Sequence, residues 1–208
     1  MQLQDHWNQI YSQKENPELG WYESDGQVTI DFLGDLLATH QTIVVPGAGT
    51  STLVPTLIQQ GHTLILNDLS DAALDKLKSE IEPAQSPIEY VVNDLGTPLL
   101  DWNFNKSSLW VDRAVLHFLT QEEQIKNYFK RLKNSVQKDG HVMLAEFTYG
   151  GAEKCAALPI KQWNISEMQE QLGKEFELVK SMDYTFINPR GEDRLYVYGL
   201  FKRVPYRN

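Results

Sequence analysis

Gly47 and Gly49 flank Ala48 at the end of a short β-branched run, and Asp68 follows Gly49 by 19 residues at the end of a second such run. Glycine lacks a Cβ and tolerates positive φ, so a turn built this way lets a ligand approach the backbone closely. A helix starting after it offers free N–H groups. An acid about 20 residues further on is spaced to accept both hydroxyls of a ribose. This spacing predicts a site for an adenosine-containing ligand. Asp94, Asp112 and Glu146 also stand at or near strand ends, where an open parallel sheet binds its ligands. A dinucleotide fingerprint would place a third glycine or alanine at Thr52, and a phosphate loop would need Gly-Lys-Ser/Thr. Neither pattern is present.

The elements that must position these residues follow from periodicity. Apolar β-branched runs over 41–46, 63–67, 88–92, 108–111 and 141–147 read as strands. Between them, residues 50–60, 71–81 and 121–136 carry apolar positions at helical spacing, with Ser70 placed to cap the second helix and Gly140 expected to open the fifth strand. Strand and helix in alternation imply an α/β, doubly wound parallel sheet. The rhythm then changes: 176–186 and 194–204 are long aromatic and β-branched runs around Asn188-Pro189-Arg190-Gly191, predicting a C-terminal antiparallel hairpin. The polar head, residues 1–37, holds Trp7, Tyr11, Trp21 and Tyr22 and is expected to form a helical lid on a single domain spanning 1–208.

Composition narrows the function. With 208 residues, 41% hydrophobic and 23% charged, the chain has ordinary globular values and enough length for a full core. Its single cysteine, Cys155, supports neither an internal disulfide nor a Cys-rich zinc site, and no metal ligand is assigned; a reducing, cytoplasmic setting is expected. The net charge of −9 disfavours nucleic acid and anionic membrane surfaces as partners. No apolar stretch is long enough to span a bilayer, and Met1-Gln-Leu-Gln-Asp-His-Trp lacks the basic and apolar regions of a secretory leader, so the numbering is expected to begin at the native start.

S-adenosylmethionine carries no phosphate, and a closing antiparallel hairpin is foreign to a dehydrogenase sheet, so these features point to a methyltransferase. Over about residues 38–204 the sequence resembles the class I S-adenosylmethionine-dependent methyltransferase family. The resemblance implies a Rossmann-like, seven-stranded, mostly parallel sheet whose last strand is inserted antiparallel. It implies Gly47, Ala48, Gly49 and Thr50 as the cofactor turn, Asp68 with Leu69 at the ribose, and Asn93, Asp94 and Leu95 around the adenine. Asp112 would lie beside the methionine moiety, with Trp21 over the cofactor. The run Asp112-Arg113-Ala114-Val115-Leu116 is similar to the Asp-Arg-x-x-Leu signature of thiopurine-methyltransferase-like enzymes. The head, with His6-Trp7-Asn8-Gln9-Ile10-Tyr11 and Gly20-Trp21-Tyr22, is similar to that of a branch that includes protein-lysine methyltransferases. One position departs from the pattern: Val45 stands where the family usually has an acid that helps hold the cofactor's amino group.

The expected activity is methyl transfer from S-adenosylmethionine, leaving S-adenosylhomocysteine, to a small-molecule acceptor by a monomer or weak dimer. A thiol is favoured, because a thiolate needs little base catalysis; an amine or hydroxyl would need His117 or Glu146 as base. Arg113 would orient an anionic or carbonyl group, and Trp7, Tyr11, Tyr22 and Glu146 would face the acceptor. Each residue has a plainer reading beside this one. His117 could be a packed core histidine, Asp94 and Glu146 could be caps or solvated acids, Asp112 and Arg113 a local ion pair, Cys155 an inert thiol, and the head's aromatics simple docking groups. Transfer to a protein lysine, a non-catalytic cofactor-binding module and a dehydrogenase remain as alternatives.

Overall fold

The computed structural model describes residues 3–81, 83–84, 86–98 and 106–205. Its seven main strands follow the order Ile88–Val92 (β3), Thr63–Asp68 (β2), Thr42–Val45 (β1), Ser107–Arg113 (β4), Val136–Phe147 (β5), Asp193–Arg203 (β9) and Phe176–Ile187 (β8), a mostly parallel sheet closed by an antiparallel hairpin as the sequence predicts, and a separate two-stranded ladder adds Lys154–Cys155 (β6) and Leu158–Pro159 (β7). The chain divides into two compact units, one of residues 1–94 with 188–190 and the other of residues 95–187 with 191–208.

The first unit contains α1 (Leu3–Gln13), α2 (Gln27–Leu33), β1 (Thr42–Val45), α3 (Leu53–Gln59), β2 (Thr63–Asp68), α4 (Asp71–Ile81) and β3 (Ile88–Val92). β1 pairs in parallel with β2, Val44 opposite Ile65, and β2 pairs in parallel with β3, Leu66 opposite Tyr90. Ile43, Val44, Leu64, Ile65 and Leu66 are buried in succession, as strands covered on both faces require. α3 begins at Leu53 rather than at 50. Thr50 and Ser51 belong to the preceding turn, where the Ser51 N–H donates to the Ala48 carbonyl at 2.9 Å. The predicted cap of α4 is present, with Ser70 Oγ accepting from the Ala73 N–H at 3.0 Å.

The same Ser70 hydroxyl donates to Asn8 Oδ1 at 2.6 Å, tying α1 to the start of α4. Further along, Lys76 Nζ donates to the Lys14 carbonyl at 3.2 Å and Asn16 Nδ2 to Glu80 Oε1 at 3.4 Å. Tyr11, Leu19 and Ala73 form a buried cluster joined by Trp7, Ile10, Trp21 and Tyr22. The head is thus docked along α4, with Tyr11 buried and the rings of Trp7, Trp21 and Tyr22 partly withdrawn from water by packing on one another.

The second unit contains β4 (Ser107–Arg113), α5 (Glu122–Ser135), β5 (Val136–Phe147), β6 (Lys154–Cys155), β7 (Leu158–Pro159), α6 (Ile165–Leu172), β8 (Phe176–Ile187) and β9 (Asp193–Arg203). β4 and β5 pair in parallel, β5 and β9 antiparallel with Val142 opposite Phe201, and β8 and β9 antiparallel with Tyr184 opposite Tyr196. The hairpin turn is where the sequence places it: Asn188 Oδ1 accepts from the Arg190 N–H at 2.9 Å, and Gly191 has φ 77°. β5 starts four residues before Gly140, directly after α5. Arg203 accounts for this, because its Nη1 donates to the carbonyls of Lys133 and Val136 and so caps the helix end from β9. Gly140 instead permits close approach: a Cβ there would lie 2.8 Å from Val136 Cγ1 and 3.0 Å from the Ser108 carbonyl. No described helix is long and apolar enough to cross a membrane.

Candidate active site

In the first unit, the end of β1 turns through Gly47 at φ 52° and Gly49 at φ 48°, conformations that side chains with a Cβ adopt at a cost. The Ala48 N–H donates to the Asn67 carbonyl at 2.8 Å and pins the turn to β2. Asp68, 7% exposed, accepts from the Gly49 N–H at 2.9 Å through Oδ2 and from the Ser70 N–H at 2.8 Å through Oδ1. Each oxygen keeps lone-pair capacity for a ligand hydroxyl. Burial raises the carboxyl to about 6, against the pull of its backbone donors. Asn67 Nδ2 donates to the carbonyls of Val91 and Asn93, both at 3.0 Å, and the Asn93 N–H donates to the Asp68 carbonyl at 3.0 Å, so the segment leading to Asp94 is held against the end of β2. Thr50 is buried, and Leu69 and Asp94 are half-buried.

The second glycine has a neighbour that the sequence reading did not foresee. A Cβ on Gly49 would fall 2.5 Å from the Tyr11 hydroxyl. Tyr11, 8% exposed, therefore brings α1 to the glycine turn, while Trp7, Trp21 and Tyr22 gather around it. Val45 is buried, so the turn has an apolar side chain where the resemblance implies an acid.

In the second unit, β4 delivers Asp112 and Arg113, and Ala114 at φ 69° turns the chain into a single helical turn, Leu116–Phe118. Glu146, near the end of β5, receives that turn. Its Oε1 accepts from the Leu116 N–H at 3.2 Å, and its Oε2 accepts from the His117 N–H at 3.1 Å and pairs with His117 Nδ1 at 2.7 Å. Asp112 Oδ1 accepts from the Val115 N–H at 3.1 Å, and Oδ2 accepts from the Tyr128 hydroxyl, which accepts in turn from Trp110 Nε1 at 3.0 Å.

Asp112, His117 and Glu146 are all 0% exposed. Burial, and next the neighbouring Glu146, holds the Asp112 carboxyl well above its ordinary range. Burial raises Glu146 as well, to about 8, while the N–H groups of the turn and a hydrogen bond with Asp112 pull it down. Burial lowers His117 to about 3, so the ring is neutral; its Nδ1 pairs with Glu146, and Nε2 has no partner among the described residues. Glu146 is thus engaged by His117 and its turn rather than exposed to an acceptor.

Arg113 lies with its guanidinium carbon 5.3 Å from the Phe186 ring centroid and 5.1 Å from that of Tyr196. Neither these hairpin aromatics nor Tyr128 stands out in the sequence as a partner of the site, because they reach Arg113 and Asp112 from strands or helices remote in sequence. Burial raises the Cys155 thiol to about 11, which suits an inert thiol. Trp163 is buried in the core.

No protein-family model and no curated protein matches the chain. Solved structures do. A SAM-dependent methyltransferase from Anabaena variabilis superposes with a TM-score of 0.75 at 14% identity, covering 96% of this chain and 93% of that one. The N-methyltransferase NodS of Bradyrhizobium japonicum, solved with S-adenosyl-L-homocysteine, gives 0.70 at 12% identity, with 96% and 99% covered. A protein studied for the conversion of a disulfide bond into a thioacetal group during echinomycin biosynthesis gives 0.76 at 13% identity, with 97% and 93% covered. At these identities the likeness defines the fold, which is the Rossmann-like fold of S-adenosylmethionine-dependent methyltransferases.

Proposed function

We propose that the chain is an S-adenosylmethionine-dependent methyltransferase acting on a small-molecule nucleophile. The observation that carries this reading is the pairing of two positive-φ glycines with Asp68, whose carboxylate is fixed by the Gly49 and Ser70 amides. The fit is good: a Cβ-free turn admits the thioether chain, and a buried, oriented carboxylate suits a ribose. In the first unit, Gly47, Ala48, Gly49, Thr50, Asp68, Leu69, Asn93 and Asp94 would hold the adenosine half, beside Trp21. In the second, Leu95 is assigned to the adenine and Asp112 to the methionine moiety.

The bound cofactor supplies an electrophilic methyl group on a sulfonium. The protein's task is then alignment and exclusion of water. Arg113, steadied between two rings, is assigned to an anionic or carbonyl group of the acceptor. His117, lowered to about 3 by burial and without exposed surface, is a poor proton acceptor, which favours an acceptor such as a thiol that needs little base catalysis. Solved relatives of this fold include both an N-methyltransferase and a protein tied to sulfur chemistry, so the acceptor atom is assigned from the chain itself. The Asp112-Arg113-x-x-Leu116 resemblance favours a thiol and the thiopurine-type branch. A lysine channel would draw on the head's aromatic rings, which are occupied with one another.

Calorimetric titration with S-adenosylmethionine and S-adenosylhomocysteine tests the reading. Micromolar binding that is lost in Asp68→Ala is expected; absence of binding to either compound by the wild-type chain would overturn it.

A further inference from the structure

We infer that the second unit carries a binding site for a small organic anion, at the opposite end of β4 and β5 from the residues assigned to methyl transfer. A cavity of about 350 Å³ opens there, within the size range of small-molecule clefts. Lys106, immediately before β4, and Lys138, near the start of β5, stand on its lining. Asp112 and Glu146 lie toward the far ends of the same two strands. Six residues of extended chain at about 3.3 Å each put Asp112 about 20 Å from Lys106. The site is therefore a second one, and it does not rest on the proposed activity.

Charge decides the class of ligand. All but three of the chain's 19 basic residues, Lys14, Lys76 and Lys78, follow residue 94, so the net charge of −9 is concentrated in the first 94 residues. At the cavity, Lys106, Lys138 and Arg203 stand against a single acid, Glu175. That acid is already committed: Glu175 Oε2 accepts from Arg203 Nη2 at 2.7 Å, and Oε1 lies 3.9 Å from Lys133 Nζ. Lys106 and Lys138 form no ion pair among the described residues. Lys133 feels the same excess of positive charge: burial lowers its ammonium, Glu175 opposes this, and the Arg203 charge adds to it. An anion entering the cavity meets the two unpaired ammonium groups and the carboxamides of Asn134 and Gln137, which can donate hydrogen bonds. Val136, Val204 and Pro205 add apolar surface, which suits a phosphate or carboxylate carried on a small apolar body.

The wall of the cavity is fixed by bonds that need no ligand. Arg203 Nη1 donates to the carbonyls of Lys133 and Val136, and the Val204 N–H donates to the Glu175 carbonyl at 2.9 Å. The end of β9 is thereby tied to the end of α5 and the start of β5. A ligand is spared the entropy of ordering that wall.

Phenyl phosphate, benzoate and phenol are the probes, titrated calorimetrically into the full chain at low ionic strength, where exposed charges are least screened. Binding of an anion and not of phenol is expected, and the tighter of the two anions identifies phosphate or carboxylate as the group the site takes. Lys106→Gln/Lys138→Gln, with its melting temperature as the check on folding, is expected to lose about tenfold in affinity, the worth of two partly exposed charge contacts together. Lys126→Gln/Lys130→Gln makes the same change of charge on the exposed face of α5 and is expected to bind as the wild type does. Wild-type protein that binds neither anion, or binds phenol as tightly, would overturn the site. So would equal anion affinity in the folded Lys106/Lys138 variant, or an equal loss in the α5 variant, which would reduce the effect to overall charge. Displacement of the bound probe by S-adenosylhomocysteine would overturn its separation from the cofactor site.

Discussion

Glu146 and His117 are joined at 2.7 Å through Oε2 and Nδ1, and neither side chain has any exposed surface. The Glu146 carboxyl group holds the turn that carries the imidazole as well as the ring itself. Removing Glu146 leaves buried donors without an acceptor. For Glu146→Gln, whose amide would face N–H groups with one of its own, we expect about 3 kcal/mol of lost stability, read as a drop of several degrees in melting temperature by scanning calorimetry. A variant that melts with the wild type would show that the contact is not made in solution.

Asp68 makes cofactor affinity depend on pH. A ribose donates its hydroxyls to the ionised carboxylate, so protonation competes with the ligand. S-adenosylhomocysteine affinity is expected to be level above the carboxyl's value of about 6 and to fall by about tenfold per pH unit below it. Titrations of the wild type and Asp68→Asn from pH 5 to 8 measure the slope, which the variant should lack.

Stability responds to the same group with the opposite sign. Its folded value, about 6, lies above the unfolded 3.8, so the contribution is complete below the unfolded value and is lost as pH rises through the folded one. The loss amounts to about 3 kcal/mol between those limits. Denaturant unfolding of Asp68→Asn across this range should show a flatter pH dependence than the wild type.

Gly49→Ala introduces two faults, a Cβ at φ 48° and a contact at 2.5 Å with the Tyr11 hydroxyl. Removing the hydroxyl relieves only the second. The double variant Gly49→Ala/Tyr11→Phe should therefore unfold at higher denaturant than Gly49→Ala alone, a coupling of about 1 kcal/mol. Strict additivity would place Tyr11 elsewhere.

Ala156 and Ala157 close the β6 and β7 ladder at φ 51° and 63°, the left-handed pair of a two-residue hairpin loop. Ala157→Gly is expected to stabilise the chain by about 0.5–1 kcal/mol, a gain visible in the denaturant midpoint.

The parts of this molecule that the sequence revealed are those governed by neighbours in the chain. The succession of β-branched runs located the five parallel strands, the Asn188-to-Gly191 turn located the hairpin, and Ser70 marked the start of α4. Asp68 was legible because its distance from Gly49 is a chain distance. The start of β5 was not, since it is decided by Arg203, 67 residues from Val136. Glu146 and His117 were each recognised but not as partners 29 residues apart, because only the pairing of β4 with β5 brings them together. Tyr11 was placed among groups facing the acceptor; its position over Gly49 follows from the docking of α1 on α4, which periodicity does not encode. The two-residue ladder and α6 are short elements set by tertiary packing, and their runs carry too few apolar repeats to declare themselves.

The indoles of Trp7 and Trp21 meet edge to face with centroids 5.5 Å apart, and each lies within 6.4 Å of the Tyr11 ring. The nucleoside site proposed for this chain therefore comes with its own optical reporter. The pair is two of the chain's five tryptophans, so occupancy of that site is expected to appear as one part of the intrinsic fluorescence of unlabelled protein, a part identified by its loss when Trp7 or Trp21 is replaced with phenylalanine.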